Sequence, residues 1–407
     1  NSFSFLRESN SILWASEKDG WRHLYQVSLE GKPEVLITKG EYDVIDLKYI
    51  HNKEGFVYYL ASPNNATQKY LYKTKLNGKG KNELLSPASL EGSHDYSFSS
   101  NGNYAAHSFS NHFTPYSKEF ISIANHKALI EEESILKNIK KLEEKPTTEF
   151  FTITTEDNVE LDGWMVKPTN FDPTKKYPVV FYVYSEPARA TVNDSYNTSR
   201  NSLYIGDMAE DGYIYISLDN RGTPSPKGRE WRKSIYRKIG VININDQAMA
   251  AKEILNWDFI DSERVAVWGW SGGGSATLNL MFQYPEIYKT GIAIAAVANQ
   301  LTYDNIYQER YMGLPKENKE DFIIGSPITY AKNLEGNLLY IHGTGDDNVH
   351  YQNAELLINE LIKNNKQFQF MPYPNRTHGI SEGEGTRKHL ATLYTNYLKL
   401  HCPPGGR

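Results

Sequence analysis

Cysteine is all but missing: Cys402, close to the C-terminal end, stands alone among 407 residues. That excludes an internal disulfide and any metal site built on several thiolates. No apolar run approaches the 18 residues that a membrane-spanning helix needs. Neither sign of charge dominates, the formal net charge being −5 at pH 7. A polyanion-binding surface is therefore not expected, and nucleic acid is excluded as a partner. The basic cluster Arg229, Arg232 and Lys233 with Arg237 and Lys238 reads as a solvated helix face. The first residues, Asn1-Ser2-Phe3, have neither an initiating Met nor the pattern of a signal peptide. A chain cut from something longer is the expectation.

What is present in quantity is tyrosine, 29 residues, together with a weak repeat. The stretch "ILWASEKDGWRHLYQVSLEGK" alternates and turns as strand, loop, strand, turn. It recurs as "FVYYLASPNNATQKYLYKTKLNGK" and, degraded, as "YAAHSFSNHFTPYSKEFISIANHK". The pairs Leu24-Tyr25, Leu71-Tyr72 and Phe120-Ile121 fall roughly 47 to 49 residues apart, the period of propeller blades. Residues 1–125 are thus expected to be the last two to three blades of a β-propeller. So few blades cannot close a ring, and the others are expected upstream. Residues 126–149 are charged and helix-prone and read as a connector.

From residue 150 to 402 the pattern changes to strands alternating with helices, leaving 403–407 as a tail. Strands are expected over 150–154, 163–167, 179–184, 213–218, 265–268, 291–295, 338–342 and 368–373, and helices over 245–257 and 353–364. This is the α/β class: a mainly parallel sheet covered on both faces.

Within it, "VWGWSGGGS" contains Gly269-Trp270-Ser271-Gly272-Gly273, a match to G-x-S-x-G. An apolar strand precedes it, and a helix follows that stops at Pro285. That context favours a nucleophile raised on a strained turn, with glycines letting strand and helix approach. A phosphate-binding loop is disfavoured, since no Lys follows the glycines and no G-x-x-x-x-G-K run occurs. A plain strand–helix turn is the other reading.

A serine nucleophile needs a base and an orienting carboxylate, and on this fold they follow in the order Ser, acid, His. Downstream, "NLLYIHGTGDDNVH" runs from an apolar strand into a loop with Asp346 and Asp347, and "FMPYPNRTHGI" places His378 after another strand. His342 and His350 flank the acid loop and read as structural or exposed. The oxyanion of acyl transfer needs two donors. One is expected from the backbone N–H of Gly272. The other can be the phenol of Tyr184, at the end of "PVVFYVYSEP"; by composition alone that residue serves equally well as core.

Residues 150–400 resemble the hydrolase domain of the prolyl oligopeptidase family, and in particular its dipeptidyl peptidase IV-like subfamily. The motifs that carry this are "VYSEP", "LDNRGT", "VWGWSGGG", "ERYMGLP", "IHGTGDDNVHYQ" and "THGI"; "SEKDGWRHLYQVSLEGK" is similar to the last blades of the same subfamily. The resemblance implies Ser271 as nucleophile, Asp346 as acid, His378 as base, and Tyr184 with Gly272 as oxyanion donors. It implies Trp270, Val297, Tyr303, Tyr307, Asn348 and Val349 as substrate-binding residues, with a small, proline-shaped pocket before the scissile bond. Without it, Tyr303 and Tyr307 are aromatics at i, i+4, a spacing more often found in cores. It further implies a peptide substrate, release of N-terminal dipeptides after Pro or Ala, a homodimer, a periplasmic or extracellular location, and no metal or cofactor.

Three positions depart from the subfamily pattern. Gly272 stands where Tyr is usual, Gln300 where an aromatic is common, and Ser185 where Gly or Ala is common. The pocket is therefore expected to be wider or less selective for proline. The acidic pair that holds the substrate amine in relatives lies in an earlier propeller segment and is not among these residues. The same fold also supports an acylaminoacyl peptidase or an esterase. A reading of another class is a catalytically inactive interaction protein, against which the intact Ser–Asp–His set argues.

Overall fold

The computed structural model describes residues 3–6, 9–139 and 148–407. The part of the expected connector over 140–147 lies outside the described residues. Two compact units are present. The first is Asn1–Pro146 with Asn193–Thr198 and Ser225–Arg232, and the second is Thr147–Val192, Ser199–Pro224 and Lys233–Arg407.

The first unit holds three antiparallel four-stranded sheets, each in sequential order, as propeller blades are built. The first is β1 (Phe3–Leu6), β2 (Ser11–Ser16), β3 (His23–Ser28) and β4 (Val35–Leu36). The second is β5 (Val44–His51), β6 (Phe56–Ala61), β7 (Tyr70–Lys75) and β8 (Glu83–Leu84). The third is β9 (Ser93–Phe98), β10 (Tyr104–Ser110), β11 (Ser117–Ser122) and β12 (Lys127–Ala128).

Strand β6 shows why the middle blade reads as an unbroken apolar run, "FVYYLA". Its alternate side chains serve two cores. Val57, Tyr59 and Ala61 join Leu13 and Leu24 of the first blade. Tyr58 and Leu60 join Tyr96, Ala105 and Ile121 of the third. The repeat needs one correction in its third copy. The buried residue corresponding to Leu24 and Leu71 is Ile121, at 0% exposure, while Phe120 is 52% exposed. Successive side chains of a strand face opposite ways, so a one-residue offset changes the face.

Lys233, Arg237 and Lys238 of the basic cluster are exposed, but one member needs correcting. Arg232, in the helix Gly228–Lys233, has a side chain only 10% exposed. It bonds Glu17 Oε1 at 2.8 Å and Asp43 Oδ1 at 2.9 Å. Asp43 is buried, and a buried carboxylate needs a countercharge. That need comes from a residue far away in sequence, which local charge patterning cannot reveal.

The second unit is built on one eight-stranded sheet: β13 (Thr148–Thr154), β14 (Glu160–Val166), β15 (Tyr177–Tyr182), β16 (Ile214–Asp219), β17 (Ile260–Trp270), β18 (Thr290–Ile294), β19 (Asn337–Gly343) and β20 (Gln369–Tyr373). Their order in space is β13-β14-β16-β15-β17-β18-β19-β20. The β13–β14 and β14–β16 pairs are antiparallel, and every pair from β16–β15 to β19–β20 is parallel. All residues of β16 and β18 are buried, as strands covered on both faces must be. The final residues are tied to this unit. Arg264 Nη1 donates to the carbonyls of Pro403 and Gly405, each at 2.8 Å, and Lys176 N–H to that of Arg407 at 3.0 Å. No helix among the described residues is long and apolar enough to cross a membrane.

Candidate active site

In a parallel sheet the C-terminal ends of all strands meet one edge, where ligands bind. Four of the singled-out residues follow such ends: Tyr184 after β15, Ser271 after β17, Asp346 after β19 and His378 after β20. Strands β15 and β17 are neighbours, and β18 separates β17 from β19.

Ser271 joins β17 to the helix Gly272–Gln283 at φ 60° and ψ −121°, a conformation costly for any residue with a Cβ. The turn is held from both sides. Ser271 N–H donates to the carbonyl of Ile294 at 2.8 Å, and Ser271 O accepts from Ser275 N at 3.0 Å. The flanking glycines are a steric necessity. A Cβ on Gly269 would lie 2.4 Å from the backbone of Gly273, and one on Gly273 only 2.2 Å from the carbonyl oxygen of Val183. This approach also brings the backbone of Tyr184 against the start of the helix, its Cα being 3.2 Å from that same Cβ position. The N–H of Gly272 is the first of the helix, where amides lack intrahelical partners and the dipole favours negative charge.

Asp346 is 7% exposed and collects donors. Its Oδ1 accepts from the N–H groups of Asn348 at 3.0 Å and Val349 at 2.8 Å. Its Oδ2 lies 2.9 Å from His378 Nδ1 and 3.2 Å from His342 Nε2. Burial by itself would raise the carboxyl's pKa, but the bonds from His342 and His378 outweigh it and hold the group far below its ordinary value. A carboxylate facing Nδ1 fixes the His378 tautomer with the proton there and leaves Nε2 as the acceptor. His342, fully buried, faces both Asp346 and the carbonyl of Val349 (2.8 Å) with Nε2, so that nitrogen carries its proton. His350 and Asp347 are exposed.

Trp270 links the two loops: its indole Nε1 donates to the carbonyl of His378 at 3.0 Å. Tyr303 and Tyr307 meet edge to face, with centroids 5.4 Å apart. Tyr303 donates to Asn348 Oδ1 at 2.8 Å and Tyr307 to Glu186 Oε2 at 2.7 Å. Val349 has no exposed surface and acts here through its backbone; Val297 is 4% exposed, its N–H bonded to Ser275 Oγ at 2.9 Å. Gln300, 2% exposed, accepts from Gln308 Nε2 at 2.6 Å. The Tyr184 phenol is pushed well up, by burial first and then by the Glu186 carboxyl, so it remains a donor at neutral pH.

Glu186 is the residue that the sequence reading missed. It is 6% exposed and burial pushes its carboxyl up to about 7, against the bond from Tyr307. The signal was an acidic residue straight after an apolar strand, inside the motif "VYSEP". Among the described residues one trio, His107, Glu119 and His126, brings potential metal ligands within 4.8 Å. It lies in the first unit, and both nitrogens of His107 already face protein groups, Glu119 Oε1 at 2.8 Å and His94 Nδ1 at 2.9 Å.

Comparison with known proteins matches residues 199–401 to the prolyl oligopeptidase family and residues 1–116 to the dipeptidyl peptidase IV N-terminal region. The dipeptidyl peptidase 4 of Trichophyton equinum is 31% identical over 352 residues, which are 85% of this chain and 45% of that protein. The one from Arthroderma otae is 33% identical over 354 residues, again 85% and 45%. The crystal structure of Porphyromonas gingivalis dipeptidyl peptidase 4 superposes with a TM-score of 0.87 at 33% identity, covering 98% of this chain and 55% of that one.

The chain belongs to the prolyl oligopeptidase family.

Its two units are the α/β-hydrolase domain of that family and propeller blades of the dipeptidyl peptidase IV type. The chain spans about half the length of the prolyl oligopeptidase family relatives named here.

Proposed function

We propose that this chain carries the active site of a serine peptidase that releases N-terminal dipeptides by acyl transfer. His378 Nε2 takes the hydroxyl proton of Ser271 as Oγ attacks the substrate carbonyl. The oxyanion is met by the Gly272 N–H and the Tyr184 phenol. The tetrahedral intermediate collapses, and the imidazolium gives its proton to the leaving amine. Water, deprotonated in turn by His378, then releases the dipeptide from Ser271. Asp346 holds the imidazole in the required tautomer and stabilises its charged form. Likeness to dipeptidyl peptidases supports the dipeptide register; Pro or Ala before the bond, a homodimer and a periplasmic or extracellular location belong to the same proposal.

The observation that carries this reading is a single edge of the sheet. A strained serine stands there on a glycine elbow, and an Asp346-oriented histidine is tethered to that elbow through Trp270. The test is fluorophosphonate labelling of the full-length protein followed by peptide mapping, alongside release of anilide from Gly-Pro-anilide. Label on Ser271 and turnover lost in Ser271→Ala are expected. Label elsewhere, or turnover surviving the substitution, defeats the proposal. A second reading, an esterase or acylaminoacyl peptidase, draws on Gly272 and Glu186, which change the wall beside the nucleophile; faster turnover of an acetate ester or an N-acetyl amino-acid anilide than of Gly-Pro-anilide would favour it.

A further inference from the structure

Glu186 places a buried carboxyl directly beside the proposed nucleophile. Its carboxyl packs against the residue that follows the proposed nucleophile. A Cβ on Gly272 would lie 2.8 Å from Glu186 Oε2 and 2.9 Å from Cδ. A larger residue at 272 would have to displace this carboxyl, so the acidic side chain occupies the space such a residue would fill. The Tyr307 hydroxyl fixes Oε2 at 2.7 Å. No basic side chain forms an ion pair with Glu186 among the described residues, and Oε1 has no protein hydrogen-bond partner among them. Burying an ionised carboxyl without a cation is costly, and such groups concentrate where a ligand compensates them. Here the surroundings are the rings of Tyr303 and Tyr307, whose faces and hydroxyls suit the stem and the charge of a basic side chain.

Resting on the peptidase reading above, and revising its substrate, we infer that Glu186 makes the pocket before the scissile bond select a cationic side chain rather than proline. The Gly272 N–H faces the reacting carbonyl in that reading. A carboxyl against Gly272 is therefore within reach of the side chain attached one bond away from that carbonyl. A lysine or arginine there gains a salt bridge with Glu186 and relieves the cost of its burial. Proline offers neither charge nor donor, and leaves the carboxyl uncompensated.

The experiment uses the full-length protein and its Glu186→Gln variant, which keeps the acceptor for Tyr307 and removes only the charge. The Gly-Lys and Gly-Pro aminocoumarin amides are compared by kcat/KM. Calorimetry of the dipeptides Gly-Lys and Gly-Pro reads the pocket without the reaction. The inference expects wild type to favour lysine at least tenfold in both measurements, and the lysine-to-proline ratio to fall at least tenfold in Glu186→Gln. Tighter binding of Gly-Pro by wild type, or an equal loss for both ligands in the variant, overturns it. Gly-Lys bound through Glu186 without cleavage of either substrate supports the inference and sinks the peptidase reading alone. Gly-Pro both bound and cleaved in preference sinks the inference alone. A second variant, Tyr307→Phe, frees the carboxyl without removing it, and is expected to weaken lysine preference less than Glu186→Gln does.

Discussion

The indole of Trp270 holds the carbonyl of His378 at 3.0 Å, so the residue before the proposed nucleophile anchors the loop of the proposed base. Trp270→Phe keeps a ring in place and removes the donor. A hydrogen bond of this kind contributes about 0.5–1.5 kcal/mol. The expected result is a kcat lowered about 2- to 12-fold on a dipeptidyl anilide, with KM little changed, since only the base loop loosens. An unchanged kcat would mean that β20 and Asp346 alone position His378.

Ser271→Ala is expected to fold as wild type does, because Ala is smaller and the φ of 60° is imposed by the turn. Turnover should fall by at least a thousandfold, the scale of losing a nucleophile. More than a tenth of wild-type turnover would show that another group attacks.

Tyr184→Phe removes one hydroxyl and leaves the ring. Losing an oxyanion donor costs about 2.7–4 kcal/mol at the transition state, or about 10²–10³ in rate. The loss belongs on kcat, since the charge it meets arises only in the transition state. A variant changed only in KM would make Tyr184 a packing residue.

Glu186 gives the protein a distinctive pH dependence of stability. Its carboxyl titrates at about 7 when folded, against an ordinary value of 4.5. Between those values the native state holds a proton that the unfolded chain has released, so stability falls as pH rises through the window and levels off above it. The span corresponds to about 3 kcal/mol. Glu186→Gln has no charge to bury. It should therefore gain stability relative to wild type on going from pH 5 to pH 8, read as urea midpoints at both values. If wild type and variant lose or gain in parallel, Glu186 ionises without penalty and the pocket is wetter than its burial implies.

Much of the site was legible in order along the chain. The eight strands of the hydrolase sheet fall where strands were expected, and β16 and β18 read as apolar runs because a strand covered on both faces must be apolar at nearly every position. The glycines around Ser271 signalled a close approach of backbones, and the structure supplies the partner, the carbonyl of Val183. Asp346 and His378 stood at the ends of their strands, and the parallel topology carried both to the edge that holds Ser271.

Local patterning determined the strands, the elbow and the order of the reactive groups, because period, glycine and sequence order are properties of neighbouring residues. Tertiary structure alone decided which side chains those groups would meet. It set Trp270 on the His378 loop and Arg232 between Glu17 and Asp43. Above all it put the carboxyl of Glu186 into the space left by Gly272. Each of these depends on what a fold brings across from a distant segment, and a charge is costly or useful only once its burial and its partners are known.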